Sequence, residues 1–102
     1  TLLNDPFFNE AAQKLGQWAT QRKKEEALTV KALFEKCLTR PPDPHEQAAL
    51  IVFYQKQLSR FKTGELEALK VAGKGEGEVN QRAAWTVLAR VILNTDEFIT
   101  RN

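Results

Sequence analysis

Three of the chain's four prolines fall inside one short stretch, Arg40-Pro41-Pro42-Asp43-Pro44-His45-Glu46. Each proline locks φ and withdraws a backbone donor, and the residue before it is pushed out of the helical region, so no helix runs through this segment. Whatever precedes it must end near Thr39. The last four residues are a start signal: Asp43 as N-cap, Pro44 at the first helical position, and Glu46 at the third to complete a capping box. The same stretch holds the only histidine. Position alone makes His45 a solvent-facing residue of a first turn, since its acidic neighbours are already engaged in capping.

On either side of this joint, apolar residues recur at helical spacing. Asp5 caps a first helix with Pro6 in its first turn, and Phe8, Ala11, Ala12, Leu15, Trp18 and Ala19 form its apolar face. Gly16 weakens that helix unless a neighbouring backbone needs the room. Polar residues between Gln21 and Ala27 mark a turn. Val30, Leu33, Phe34, Cys37 and Leu38 then form one stripe of a second helix. Beyond the prolines a third helix places Ile51, Tyr54, Leu58 and Phe61 on one face, reinforced by Leu50 and Phe53, with Gln55, Lys56 and Arg60 opposite.

Thr63 and Gly64 punctuate the third helix, and Leu66, Leu69 and Val71 suggest a short further helix ending at Gly73. Gly73-Lys74-Gly75-Glu76-Gly77 is unfavourable for regular structure and reads as a flexible connector. From about Asn80 a last helix carries Ala84, Trp85, Leu88, Ala89, Val91 and Ile92, the widest apolar arc in the chain. Asn94 ends it, and Asp96 to Ile99 add a turn that returns Phe98 to the core. Nothing alternates at period two. The expectation is an all-α fold, a single compact bundle of four to five helices with a Gly-rich loop before the last main helix.

A chain of 102 residues that is 42% hydrophobic suits one domain over residues 1–102. With 27% charged residues, a mean hydropathy of -0.45 and no apolar run near the roughly 20 residues that span a bilayer, membrane insertion is not expected. Thr1-Leu2-Leu3 runs into a helix start without a leader, and methionine is absent, so the chain reads as a piece of a longer protein. Fifteen basic and 13 acidic residues leave a net charge of +2. Arg22-Lys23-Lys24 is followed at once by Glu25-Glu26, which makes it a solvated helix end, and no nucleic-acid partner is expected.

The chemistry-bearing residues do not assemble into a signature. One cysteine and one histidine cannot make a structural zinc site or a C-x-x-C-H haem attachment, so no metal or cofactor is expected in this segment. Cys37 sits on an apolar stripe where a thiolate is disfavoured. The glycine run lacks the preceding strand and following Lys-Ser/Thr of a phosphate loop, and Glu76 and Glu78 would repel phosphate. Glu25-Glu26 and Asp96-Glu97 are sequence neighbours that point apart on a helix. Trp18 and Trp85 lie on apolar faces, where burial is the simpler reading. No catalytic residue and no small-molecule ligand emerge from this pattern. Phe7-Phe8 is different, because two adjacent aromatics on one helix cannot both face one core, and one is free to pack on a neighbour.

Three segments together resemble the C-terminal PSD-type domain of the planctomycete cytochrome-associated proteins. They are Leu2-Leu3-Asn4-Asp5-Pro6-Phe7-Phe8, the run from Leu33 to Glu46, and the run from Ala84 to Phe98. The family pattern in the middle segment is L-G-R-x-P followed by a helix start with Glu. Arg40, Pro42 and Glu46 match it, while Thr39 stands where glycine is usual. Because threonine tolerates a left-handed cap poorly, the second helix is expected to end by a different turn. The resemblance implies a C-terminal module of a larger exported or periplasmic protein, sometimes sharing its chain with c-type cytochrome domains, so any haem would sit elsewhere in the parent chain. It supplies no catalytic residues to carry over.

The leading functional expectation is a non-catalytic helical domain that packs against or positions other domains of an exported, cytochrome-linked protein. Its candidate interaction surface comprises Phe7, Phe8, Arg40, His45 and Arg90. The alternative is that Arg40, His45 and Arg90 contribute to an enzyme site assembled with upstream domains, in extracellular carbohydrate or redox metabolism.

Overall fold

A computed structural model of the chain describes residues 5–95. Five helices make up the fold: α1 (Pro6–Gln21), α2 (Glu26–Leu38), α3 (Pro44–Lys62), α4 (Ala68–Ala72) and α5 (Val79–Leu93). No strand occurs among the described residues, so the all-α bundle stands. The expected turn at Asp96 to Ile99 and the packing of Phe98 lie outside them. Helix ends fall where capping chemistry puts them. The Asp5 side chain accepts from the Phe7 N–H at 2.8 Å and the Phe8 N–H at 3.4 Å, with Pro6 at the first position.

The most extensive contact in the fold is between α1 and α5. The two run antiparallel: Thr20, late in α1, lies beside Gly77 just ahead of α5, while Gly16 lies beside Arg82 and Thr86 further along it. Gly16 is what lets them meet. A Cβ there would sit 2.9 Å from both the Arg82 carbonyl oxygen and the Thr86 nitrogen, and would also collide with the Thr86 hydroxyl. The two backbones therefore touch, and the helix-weakening glycine is explained by the neighbour that needs its space. Ala12 and Ala19 continue the same face of α1, and Ala83 and Ala89 flank Thr86 about one turn away on α5; all four are buried. Thr86, inside the contact, satisfies its hydroxyl by donating to the Arg82 carbonyl at 2.7 Å.

This close approach rotates α1 slightly from the expected face. Phe8, Ala12, Gly16 and Ala19 are buried, Leu15 and Trp18 are half-buried, and Ala11 is exposed. On α5, nine residues from Arg82 to Leu93 are buried, more than on any other helix and in line with its wide apolar arc, but Val91 is 41% exposed. Both departures come from a seam built on glycine and alanine, whose narrow stripe leaves the flanks of the hydropathy arc outside.

α3 crosses α5 where Tyr54 stacks on Trp85, ring centroids 3.7 Å apart and planes at 24°. Tyr54, Gln57 and Phe61 are its buried residues, while Leu50, Ile51, Phe53 and Leu58 pack half-buried at the margin. The Gln57 amide oxygen is kept satisfied by the Arg60 guanidinium at 3.2 Å. Arg60 is therefore half-buried beside the core face and not opposite it. In α4 the buried positions are Ala68 and Ala72, and Leu69 is 61% exposed, so this helix docks by its small residues. The Gln13 amide ties it to α1, donating to the Val71 carbonyl at 3.0 Å.

Gly16→Ala separates packing from propensity. In an exposed helix this change would stabilise by roughly 0.5–1 kcal/mol. Here the added methyl has to part α1 from α5, so we expect a loss of about 1–3 kcal/mol, read as a lower urea midpoint with an unchanged slope.

Candidate functional site

The joint after α2 is a clasp. Glu46 fills both halves of a capping box with Asp43: its N–H donates to the Asp43 carboxylate at 2.8 Å and its own carboxylate accepts from the Asp43 N–H at 2.9 Å. Arg40 closes on the same carboxylate with two parallel bonds, Nη1 to Oε1 at 2.9 Å and Nη2 to Oε2 at 2.8 Å. Bidentate pairs of this kind fix geometry as well as charge. The Arg40 guanidinium also donates to the Pro41 carbonyl at 3.0 Å and lies 4.8 Å over the Phe34 ring, so the clasp is anchored to α2. Gln47 adds a bond to the Ala27 carbonyl at 2.8 Å.

Thr39 corrects one expectation. α2 does end in a left-handed cap, with Thr39 at φ 60° and ψ 25° and its N–H donating to the Glu35 carbonyl at 2.8 Å. The strain of a β-branched residue there, on the order of 1 kcal/mol, is held by its surroundings. The hydroxyl donates to the Leu38 carbonyl at 2.6 Å, and the clasp that begins at Arg40 fixes the direction in which the chain leaves the cap.

The five candidate surface residues do not converge. Phe7 and Phe8 divide as their adjacency requires, Phe8 in the core and Phe7 84% exposed. Arg40 belongs to the clasp, and His45 is exposed at the second position of α3. Arg90 lies in the last turn of α5. Its guanidinium is lowered from its ordinary pKa by burial, and its Nε is buried without a partner among the described residues.

Other residues take places that simple burial does not foresee. Trp85 is core, as expected, but Trp18 is half-buried, with the Lys36 ammonium 4.7 Å and the Arg22 guanidinium 5.2 Å from its ring centroid. The basic run therefore begins by covering an indole. Beside that indole a groove of about 430 Å³ runs between α1 and the α4 end, lined by Gln13, Gln17, Gln21 and Lys74 among others. Cys37 packs against the core, and burial pushes its thiol up to about 11, with the Lys36 charge opposing weakly.

Arg82 carries no signal in the sequence. It sits in the apolar arc of α5 and is 5% exposed, and the glycine loop wraps it. Its Nη1 donates to the Gly73 carbonyl at 2.9 Å and its Nε to the Gly77 carbonyl at 3.1 Å. The expected flexible connector is thus a fitted strap, in which Gly77 takes φ 102° against Thr20. Glu78 then caps α5, accepting from the Asn80 and Gln81 N–H groups at 2.8 and 2.9 Å. Glutamate is not a favoured N-cap, so no start signal is readable at that residue. No group of three or more His, Cys, Asp and Glu among the described residues is placed to hold a metal ion, and no helix among them is long and apolar enough to cross a membrane.

No family model, curated protein or solved structure matches the chain.

Two measurements test these placements. The Arg40 bonds, with the Asp43 N–H second, hold the Glu46 carboxyl at about 2, against about 4.3 in an unfolded chain. A depressed carboxylate contributes stability that is present above the unfolded value and lost as pH falls toward the folded one. We therefore expect a Glu46 midpoint near 2 by carbon-detected NMR, and a shallower loss of stability below about pH 4.3 in Glu46→Gln. The effect is small, because the pair is a third exposed and screened by solvent. Separately, Cys37 should react with a disulfide reagent at pH 8 at least about tenfold more slowly than a free thiol of pKa near 8.5, reaching the free rate on denaturation.

Proposed function

We propose that the chain is a non-catalytic helical module that docks against other domains of a longer protein through the end of the bundle bearing Phe7. The observation that carries this reading is Phe7 itself, 84% exposed beside a buried Phe8. An aromatic held out at the start of a capped helix has lost conformational freedom already and gives large contact area on binding. Because α1 and α5 are antiparallel, the 41%-exposed Val91 lies toward the same end of the pair. Arg90, beside Val91 in sequence, supplies a guanidinium there.

The wider setting, an exported and cytochrome-linked parent, forms part of this proposal on the strength of the three sequence segments that resemble that family. In that setting the module positions its neighbours, and any haem chemistry belongs to them.

The test is association of this segment with the remainder of its parent chain. Phe7→Ser should weaken that association at least tenfold, about 1.4 kcal/mol, while shifting stability by less than about 0.5 kcal/mol, as expected for an exposed site. Absence of any association between the wild-type segment and the rest of the chain would count against the reading.

A further inference from the structure

The segment joining α3 to α5 is held to the bundle by very little buried apolar surface. From Lys62 to Glu78 the buried residues are Ala68 and Ala72, with Leu66, Val71 and Gly73 half-buried and the rest exposed. Alanine has the smallest apolar side chain, so this pair contributes far less than the Leu, Ile and Phe side chains buried on the other helices. At five residues, α4 is also too short to be stable without its neighbours.

What lies beneath the strap is polar. Its glycines follow α1 turn by turn, Gly73 against Gln13, Gly75 against Gln17 and Gly77 against Thr20, with the Arg82 side chain beside Gly75 and Gly77. The ties are hydrogen bonds. Gln13 donates to the Val71 carbonyl, and the one guanidinium of Arg82 donates to the Gly73 carbonyl at one end of the strap and the Gly77 carbonyl at the other.

Lifting the segment exchanges those bonds for bonds to water, a small net loss for each. It returns the charge of Arg82, 5% exposed when covered, to solvent and frees the backbone that the strap and α4 had ordered. Parting α1 from α5 has no such compensation, since it sends the core side chains of α5 to water. The two ends of the segment are built to turn. Gly64 takes φ 80° with nothing within 4 Å of a Cβ placed there, and Gly77 takes φ 102°, and small residues of this kind absorb the rotations of a hinge.

We propose that residues 64–78, α4 together with the strap, form a hinged cover that lifts from α1 and α5 as one unit, latched by Arg82, while the rest of the bundle stays folded. Because a single side chain holds both ends of the strap, its release is concerted. Gly73 is also the C-cap of α4, so the latch and the short helix let go together. The open state uncovers a polar strip, Gln13, Gln17 and Thr20 on α1 with the Arg82 guanidinium on α5. The cover is separate from the docking role of Phe7, which lies at the other end of α1 from Thr20.

Amide hydrogen exchange of the whole chain, followed by NMR in urea below the unfolding transition, tests the proposal. The Val71 and Gly73 N–H groups, bonded to the Glu67 and Leu69 carbonyls, report on the cover, and the Gly16 and Thr86 amides, inside α1 and α5, report on the seam. Val71 and Gly73 should share one opening equilibrium, at least about a hundredfold more populated than that of the seam and with a shallower urea slope, because a lifted cover exposes less surface. Gln13→Ala should accelerate Val71 and Gly73 roughly two- to tenfold. Arg82→Met should accelerate cover and seam by the same factor, since the latch is already broken in the open cover. Val30→Ala, a core change on α2, which packs on α5, α3 and α1, should accelerate the seam at least about tenfold and leave the cover unchanged. Three results would overturn the proposal: exchange of Val71 and Gly73 with the rate and urea slope of the seam, separate opening equilibria for those two amides, or acceleration of the seam alone in Arg82→Met.

Discussion

The contact of α1 with α5 at Gly16 is the constraint around which the fold is arranged. Backbone meets backbone there, so every other element has to dock on a pair whose spacing is already set. α3 reaches α5 by the Tyr54–Trp85 stack, and α4 presents Ala68 and Ala72 to the pair. The larger core side chains, Leu33, Phe34, Leu88 and Ile92, are buried in the same core. A bundle organised this way has one narrow rigid interface and broader adaptable ones, which matches the half-buried margin of α3.

Arg82 shows how the fold accommodates a charge in its most buried helix. The buried guanidinium is matched to carbonyl oxygens, so it is hydrogen-bonded without an ion pair among the described residues. That arrangement exchanges water for backbone acceptors which the strap would otherwise leave exposed. Glycines suit the strap because its chain passes so close to α1 and Arg82 that a Cβ at Gly77 would sit 3.0 Å from the Thr20 methyl. Order in this loop is imposed by its single buried guest.

Much of this is legible in local sequence chemistry. The proline joint, both aspartate caps, the α1–α2 turn and the division of Phe7 from Phe8 all depend on residues within a few positions of each other. The helix faces are legible less closely: Ala11, Val91 and Leu69 look apolar on a wheel, yet the partner surface is narrow and formed by alanine and glycine. Arg82 and Gln57 are not legible, because a polar side chain on a helix reads as solvated until the packing that buries it is in place. Arg82 looks solvated until Gly73 and Gly77 fold over it. Thr39 escapes for another reason: propensity reports the cost of a left-handed threonine, while the adjoining Arg40–Glu46 clasp is strong enough to hold it.

Pairing the first helix with the last also has a consequence for how the chain comes to be folded at all. During synthesis α1 leaves the ribosome with its apolar stripe uncovered, and the surface that buries it is not available until α2, α3 and α4 have been made and α5 has emerged after them. The middle helices cannot close the core in the meantime, since α3 packs chiefly on α5 and α2 divides its contacts between α3 and α5. Until then α1 lacks the partner of its most extensive contact. The core closes only when the last of the five described helices lies beside Gly16.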